Sequence, residues 1–202
     1  ALMMAKYGAK VVVNDLGGSA AGEGGDKKIA DEVVDEIKSA GGQAVANYDS
    51  VAAMESAKNL IDTAVQNFGR IDIMVNNAGI LRDRMIFNMS EEEWDAVLAV
   101  HLKGTWACTR AAAPLMREQR SGRIINFTST SGLIGNYGQT NYGSAKMGIV
   151  GLTKNTALDL GRYNVTCNVI APFAWTRLIG TIPTEDPKQQ KRVELMKKMT
   201  PD

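Results

Sequence analysis

The sequence predicts one doubly wound parallel α/β domain, and three observations carry that expectation. Strand-like apolar runs at about 10–14, 43–48, 71–76, 123–128 and 165–170 alternate with stretches of helical periodicity. Asp15, Asp49, Asn76, Ser129 and Pro172 stand at the carboxyl ends of these runs, where ligands bind in such sheets. Neither an internal repeat nor a shift of composition divides the chain.

In order, Leu2 to Tyr7 reads as the last turns of a helix stopped by Gly8, and Lys10 to Asn14 as a buried strand. The strand and glycine-rich turn that would open such a domain and hold a pyrophosphate precede neither element, so the native polypeptide is expected to be longer. The glycines between Leu16 and Asp26 lack GxGxxG spacing, and this segment reads as a flexible insertion. A helix over 27–40 is capped by Gly41 and Gly42, and a strand over 43–48 follows. Met54 to Phe68 has helical spacing and is closed by Gly69. Ile71 to Val75 leads into Asn76, Asn77, Ala78 and Gly79: the amides can tie neighbouring strands, the small residues can admit a ligand, and an Asx turn would account for the same letters.

Ser90 and Glu93 form a capping box that opens a long helix to Met116 or Arg117, with an inward stripe of Trp94, Leu98, His101, Thr105 and Cys108. On that stripe His101 reads as a core histidine. The next helix runs through Tyr142 and Lys146 to Leu160. Its Gly143, Gly148 and Gly151 cost helix propensity, which implies close backbone packing, in part against a second subunit. After the strand over 165–170, residues 173–202 lose strand character, and a basic amphipathic helix over 187–199 fits a substrate lid.

The 202 residues are 45% apolar and carry a net charge of +1, with no polybasic run and no apolar run long enough to cross a membrane. Nucleic acid and membrane are therefore not expected partners. Cys108 and Cys167 lie in apolar segments and read as buried free thiols, and no metal-ligand cluster is legible around the single histidine. No targeting signal is legible either, which points to the cytoplasm.

The chemistry is concentrated between Thr128 and Lys146. Ser129 sits at a strand tip, a loop punctuated by Gly132, Gly135 and Gly138 follows, and Tyr142 and Lys146 then share one helix face. A cation beside a phenol is expected to lower its pKa from about 10 toward the range of a general base, while Ser129 donates to a substrate oxygen. Tyr-x-x-x-Lys is common on surface helices. The strand, hydroxyls and glycine loop ahead of it make it a carbonyl/alcohol site.

With this spacing, Ser129, Tyr142 and Lys146 resemble the catalytic trio of the short-chain dehydrogenase/reductase family, and Asn76-Asn77-Ala78-Gly79 resembles its structural motif. The match is similar most of all to the (3R)-hydroxyacyl-CoA dehydrogenase domains of peroxisomal multifunctional enzyme type 2 and their bacterial relatives. It is carried there by Val13 to Gly18, Ala46 to Val51, Asn77 to Asp83, Val100-His101-Leu102 and Gly135 to Gln139. The resemblance implies a seven-stranded Rossmann-type sheet whose first and last strands are missing from this text. It also implies His101 at the place of the family's water-anchoring Asn, and NAD as cofactor. Cofactor contacts are implied for Asp15, Asp49, Ser50, Asn77, Ala78, Gly79, Tyr142, Lys146, Pro172 and Thr176. Substrate is implied to be a small-molecule acyl thioester, assembly a homodimer or homotetramer, and location peroxisomal if the chain is part of a eukaryotic multifunctional enzyme. Open alternatives are a 3-oxoacyl-carrier-protein reductase, a hydroxysteroid dehydrogenase, and a dimerising remnant without activity.

Overall fold

The computed structural model describes residues 1–172 and 187–198. A short helix α1 (Leu2–Lys6) precedes strand β1 (Lys10–Asn14), followed by α2 (Lys28–Ser39), β2 (Gln43–Asn47), α3 (Met54–Phe68) and β3 (Ile73–Asn76). Then come α4 (Glu91–Leu98), a π-helical turn (Ala99–Lys103) and α5 (Gly104–Gln119), which leads into β4 (Gly122–Phe127). Helices α6 (Thr130–Leu133) and α7 (Thr140–Gly161), strand β5 (Val165–Ile170) and helix α8 (Pro187–Met196) complete the order.

All pairings are parallel, as alternating strands and helices require. The strands form two groups, β1–β2 and β3–β4–β5, with no ladder joining them among the described residues. Alternation along β1 serves two cores: Val12 packs with α3 and α5, while Val11 and Val13 pack with Val34 and Ile37 of α2. On β3, Met74 faces the core and Ile73 and Val75 are exposed. The main core joins α3, α5, β3, β4, β5 and the end of α7 through Leu60, Ile61, Ala112, Met116, Ile124, Leu160 and Val165.

Local signals set the ends of the elements. The Ser90 hydroxyl accepts from Glu93 N–H and the Glu93 carboxylate accepts from Ser90 N–H, the expected capping box. Gly69 closes α3 at φ +79°, the left-handed region a helix C-terminus uses. The long helix expected from Ser90 is interrupted by the π turn, which adds a residue to one turn and rotates the stripe. Val97, His101, Thr105 and Cys108 are buried, whereas Leu98 turns outward with Leu102, Trp106 and Leu152 around an open apolar depression of about 580 Å³. Of the three helix glycines, Gly143 and Gly148 are explained inside the chain, where a Cβ would meet Ser131 and Leu102; Gly151 faces open space.

The segment after β1 is not the loose insertion its glycines suggest. Gly17 O accepts from Asp26 N–H at 3.1 Å and Glu23 O from Ser19 N–H at 2.8 Å, so it folds back on itself. Its Ala20 carbonyl accepts from Leu81 N–H at 2.9 Å, docking it on the segment after β3. The lid expected over 173–202 lies largely outside the described residues, of which α8 is the part seen.

Candidate active site

Strand β4 ends at Phe127, and the next residues turn outward at the carboxyl edge of the sheet. Thr128 is buried and donates through Oγ1 to the Lys146 carbonyl at 2.7 Å, tying the strand end to α7. Ser129 caps α6, its Oγ accepting from Ser131 N–H at 3.2 Å. Four residues apart on α7, Tyr142 and Lys146 share a face as their spacing requires, with Lys146 Nζ 5.5 Å from the Tyr142 ring centroid. His101 reaches the same place from the π turn and meets Tyr142 edge to face, ring centroids 5.1 Å apart. Ser129, Tyr142, Lys146 and His101, from three elements, thus converge.

The electrostatics depart from expectation in one respect. Burial raises the Tyr142 phenol above its ordinary value, a hydrogen bond with Ser129 opposes this, and the charge of Asp83 adds to it. The lowering expected from Lys146 does not appear among the influences on the phenol; its ammonium donates to the Phe127 carbonyl at 2.8 Å. Burial also pushes Lys146 down to about 8. Asp83 is itself raised by burial, partly offset by a 2.9 Å hydrogen bond from Gln139.

His101 is 2% exposed, and its pKa falls to about 4, first through burial and then through the Lys146 charge, with the Ile80 backbone acting the other way. The ring is therefore neutral near pH 7. Its Nε2 lies 3.0 Å from Ile80 N and 2.8 Å from Ile80 O, and a neutral ring nitrogen serves one of them at a time. Nδ1 is buried and has no partner among the described residues. Gly79 explains how the ring fits: a Cβ there would stand 2.3 Å from His101 Cε1. The smallness of Gly79, read from sequence as room for a ligand, is thus taken up by this imidazole.

Residues expected to hold a cofactor line the carboxyl ends of β1 to β3. Asp15 Oδ1 accepts from Gly17 N–H at 2.7 Å. Asp49 accepts through Oδ2 from Asn47 Nδ2 at 2.9 Å, while the Asp49 carbonyl accepts from Asn14 Nδ2 at 2.9 Å. Ser50 follows, its carbonyl accepting from Ser56 Oγ. Asn77 and Ala78 are exposed, as is Pro172 beyond β5. Thr176 lies outside the described residues. The strand-tying role expected of the amides falls to Asn76, whose Nδ2 donates to Asn126 Oδ1 at 2.9 Å, and to the Asn14–Asn47 pair at 2.8 Å.

Sequence reasoning missed two contributors. Asn141 is fully buried beside Tyr142, and Asp83 influences the phenol. The segment from Ile80 to Arg84 offered a pattern but no periodicity, and its importance lies in contacts distant in sequence.

Among the described residues no group of acidic, thiol or imidazole side chains could hold a metal, and no helix is long and apolar enough to cross a membrane. Cys108 and Cys167 are free and buried, each thiol pushed up to about 11 by burial.

A family model described as short chain dehydrogenase matches residues 1–177. Peroxisomal multifunctional enzyme type 2 of Drosophila melanogaster is 54% identical over 184 residues, 91% of this chain and 30% of that protein. Hydroxyacyl-CoA dehydrogenase ChsB1 of Mycobacterium tuberculosis is 45% identical over 194 residues, 90% of this chain and 58% of its own length. The chain thus spans less than two thirds of either relative. The crystal structure of a short chain dehydrogenase from Mycobacterium avium matches with a TM-score of 0.78 and 53% identity, covering 85% of this chain and 63% of that one.

Proposed function

The chain belongs to the short chain dehydrogenase family, and from that membership we propose that its protein is an oxidoreductase acting on the 3-hydroxyl of an acyl thioester, a (3R)-hydroxyacyl-CoA dehydrogenase of fatty-acid metabolism. The observation that carries this reading is the convergence of Tyr142, Lys146, Ser129 and His101 at the end of β4. The name and 45% identity of the mycobacterial hydroxyacyl-CoA dehydrogenase support the substrate class.

The family implies a nicotinamide dinucleotide, and the residues present fit one. Asp15 directly follows β1 with one carboxylate oxygen committed to Gly17 N–H, leaving the other as acceptor for adenosine ribose hydroxyls. Leu16 and Gly17 follow instead of an arginine, so a 2′-phosphate would meet repulsion and no counter-charge, which favours NAD. Asp49, Ser50, Asn77, Ala78, Gly79, Pro172 and Thr176 are assigned to the same ligand. When bound, NAD supplies the hydride acceptor.

In the oxidative direction the Tyr142 phenolate takes the proton from the 3-hydroxyl, and Ser129 orients that oxygen and stabilises its charge. Lys146 is assigned to the nicotinamide ribose and to the phenolate; of its three ammonium donors the Phe127 carbonyl takes one. His101 is neutral and brings a buried Nδ1, suited to hold a water where the family has Asn. The outward face of Leu98, Leu102, Trp106 and Leu152 is assigned to self-association. Relatives named peroxisomal favour that compartment for a eukaryotic source.

The test is NAD reduction with (3R)- and (3S)-hydroxyacyl-CoA by the native protein and by Tyr142→Phe. Turnover of the (3R) substrate is expected, falling by at least ~10²-fold in Tyr142→Phe with NAD binding retained. Undiminished turnover by that variant would sink the assignment of Tyr142.

A further inference from the structure

Asn141 has no exposed surface, and a polar side chain so placed needs partners for its hydrogen-bonding groups. Its partners come from three stretches of the chain. Nδ2 donates to the Arg82 carbonyl and to the Glu93 carbonyl, both at 2.9 Å, while Oδ1 accepts from the Tyr142 N–H at 2.7 Å. Tyr142 lies in the first turn of α7, where N–H groups have no intrahelical acceptor, so Asn141 satisfies a donor that would otherwise be orphaned.

The segment that Asn141 grips is held at neighbouring points as well. Arg84 N–H donates to the Gly138 carbonyl at 2.8 Å, and Gln139 Nε2 donates to Asp83 at 2.9 Å. Glu93 joins the cluster a second way, accepting from Arg84 Nη2 at 2.9 Å. At its other end the segment meets the glycine-rich loop, through Leu81 N–H to Ala20 O at 2.9 Å and Arg82 Nε to Ala21 O at 2.7 Å. Ile80, which precedes Leu81, contacts the His101 ring.

We propose that Asn141 is the positioning residue of Tyr142: it fastens the tyrosine's peptide to the segment Ile80–Arg84 and the start of α4, and so couples the phenol's place to the loop after β1. The inference rests on the catalytic reading of Tyr142. It assigns Asn141 no contact with substrate. A rotated first turn of α7 moves the phenol without unfolding the helix, and a displacement of about 1 Å at a reacting group costs on the order of 10²-fold in rate.

The experiment compares Asn141→Asp, Asn141→Ser and Tyr142→Phe in the full native protein. Asn141→Asp keeps shape and the acceptor for Tyr142 N–H but has no donor for the two carbonyls; Asn141→Ser is neutral and too short to span them. With the (3R) substrate, kcat is expected to fall ~10- to 10²-fold while NAD affinity by calorimetry stays within about threefold. The deuterium isotope effect on kcat, measured with substrate labelled at C3, is expected to rise, because the chemical step becomes slower relative to product release. A smaller folded fraction lowers the rate without moving the isotope effect. Parental kcat and isotope effect in either folded variant would overturn the proposal, and so would failure of both variants to fold, which would make Asn141 a folding residue. Undiminished turnover by Tyr142→Phe overturns the catalytic reading; a Tyr142→Phe slowed by ~10²-fold or more beside a fully active Asn141→Ser overturns the positioning role alone.

Discussion

His101 shows how one residue can satisfy two readings. As a core histidine it is buried against Gly79, and as a candidate site residue it faces Tyr142 with an Nδ1 that has no partner among the described residues. Its pKa of about 4 lies below the ordinary 6.5, so the folded state prefers the neutral ring and the unfolded chain binds a proton first as pH falls. Stability from this group is therefore complete above pH 6.5 and is lost between about 6.5 and 4, by up to about 3 kcal/mol. His101→Asn should flatten that part of the stability profile. Urea midpoints of both proteins from pH 4 to 7 check this, and parallel profiles would count against it. Tyr142 teaches a second lesson at this scale. Four-residue spacing foretells a shared helix face but not the direction of an ammonium, and here Lys146 points to Phe127 O.

At the scale of elements, the π turn Ala99–Lys103 links the inner site to the outer surface. By rotating the helix it brings His101 inward and leaves Leu98, Leu102 and Trp106 around the depression that Leu152 of α7 completes. Trp106 is 44% exposed at the rim of this depression, the face proposed above for self-association. Trp106→Glu is expected to convert a dimer or tetramer to a smaller species in multi-angle light scattering, since burying an unpaired carboxylate is costly. An unchanged mass would exclude this face. The turn itself could not be read from sequence, because the apolar stripe of Val100-His101-Leu102 satisfies an unbroken helix equally well.

At the scale of the molecule, the sheet is divided. β4 is paired on both sides, while β1 pairs with β2 alone among the described residues, so its other edge has no ladder. In the 202-residue chain, amides of Ile124 to Asn126 are expected to exchange with solvent more slowly than those of Val11 to Val13. Hydrogen-exchange mass spectrometry decides this, and equal protection would show that the two groups open as one unit.

The five strands of the described residues, the capping box at Ser90 and the end of α3 at Gly69 were legible in the residues, because each rests on periodicity or on chemistry within a few positions. The Ser129, Tyr142 and Lys146 pattern was legible for the same reason. The docking of Ala20 and Ala21 on Leu81 and Arg82, the grip of Asn141 on Arg82 and Glu93, and the raised Tyr142 phenol were not. These depend on burial and on which backbone groups, far apart in the chain, folding brings within hydrogen-bonding distance.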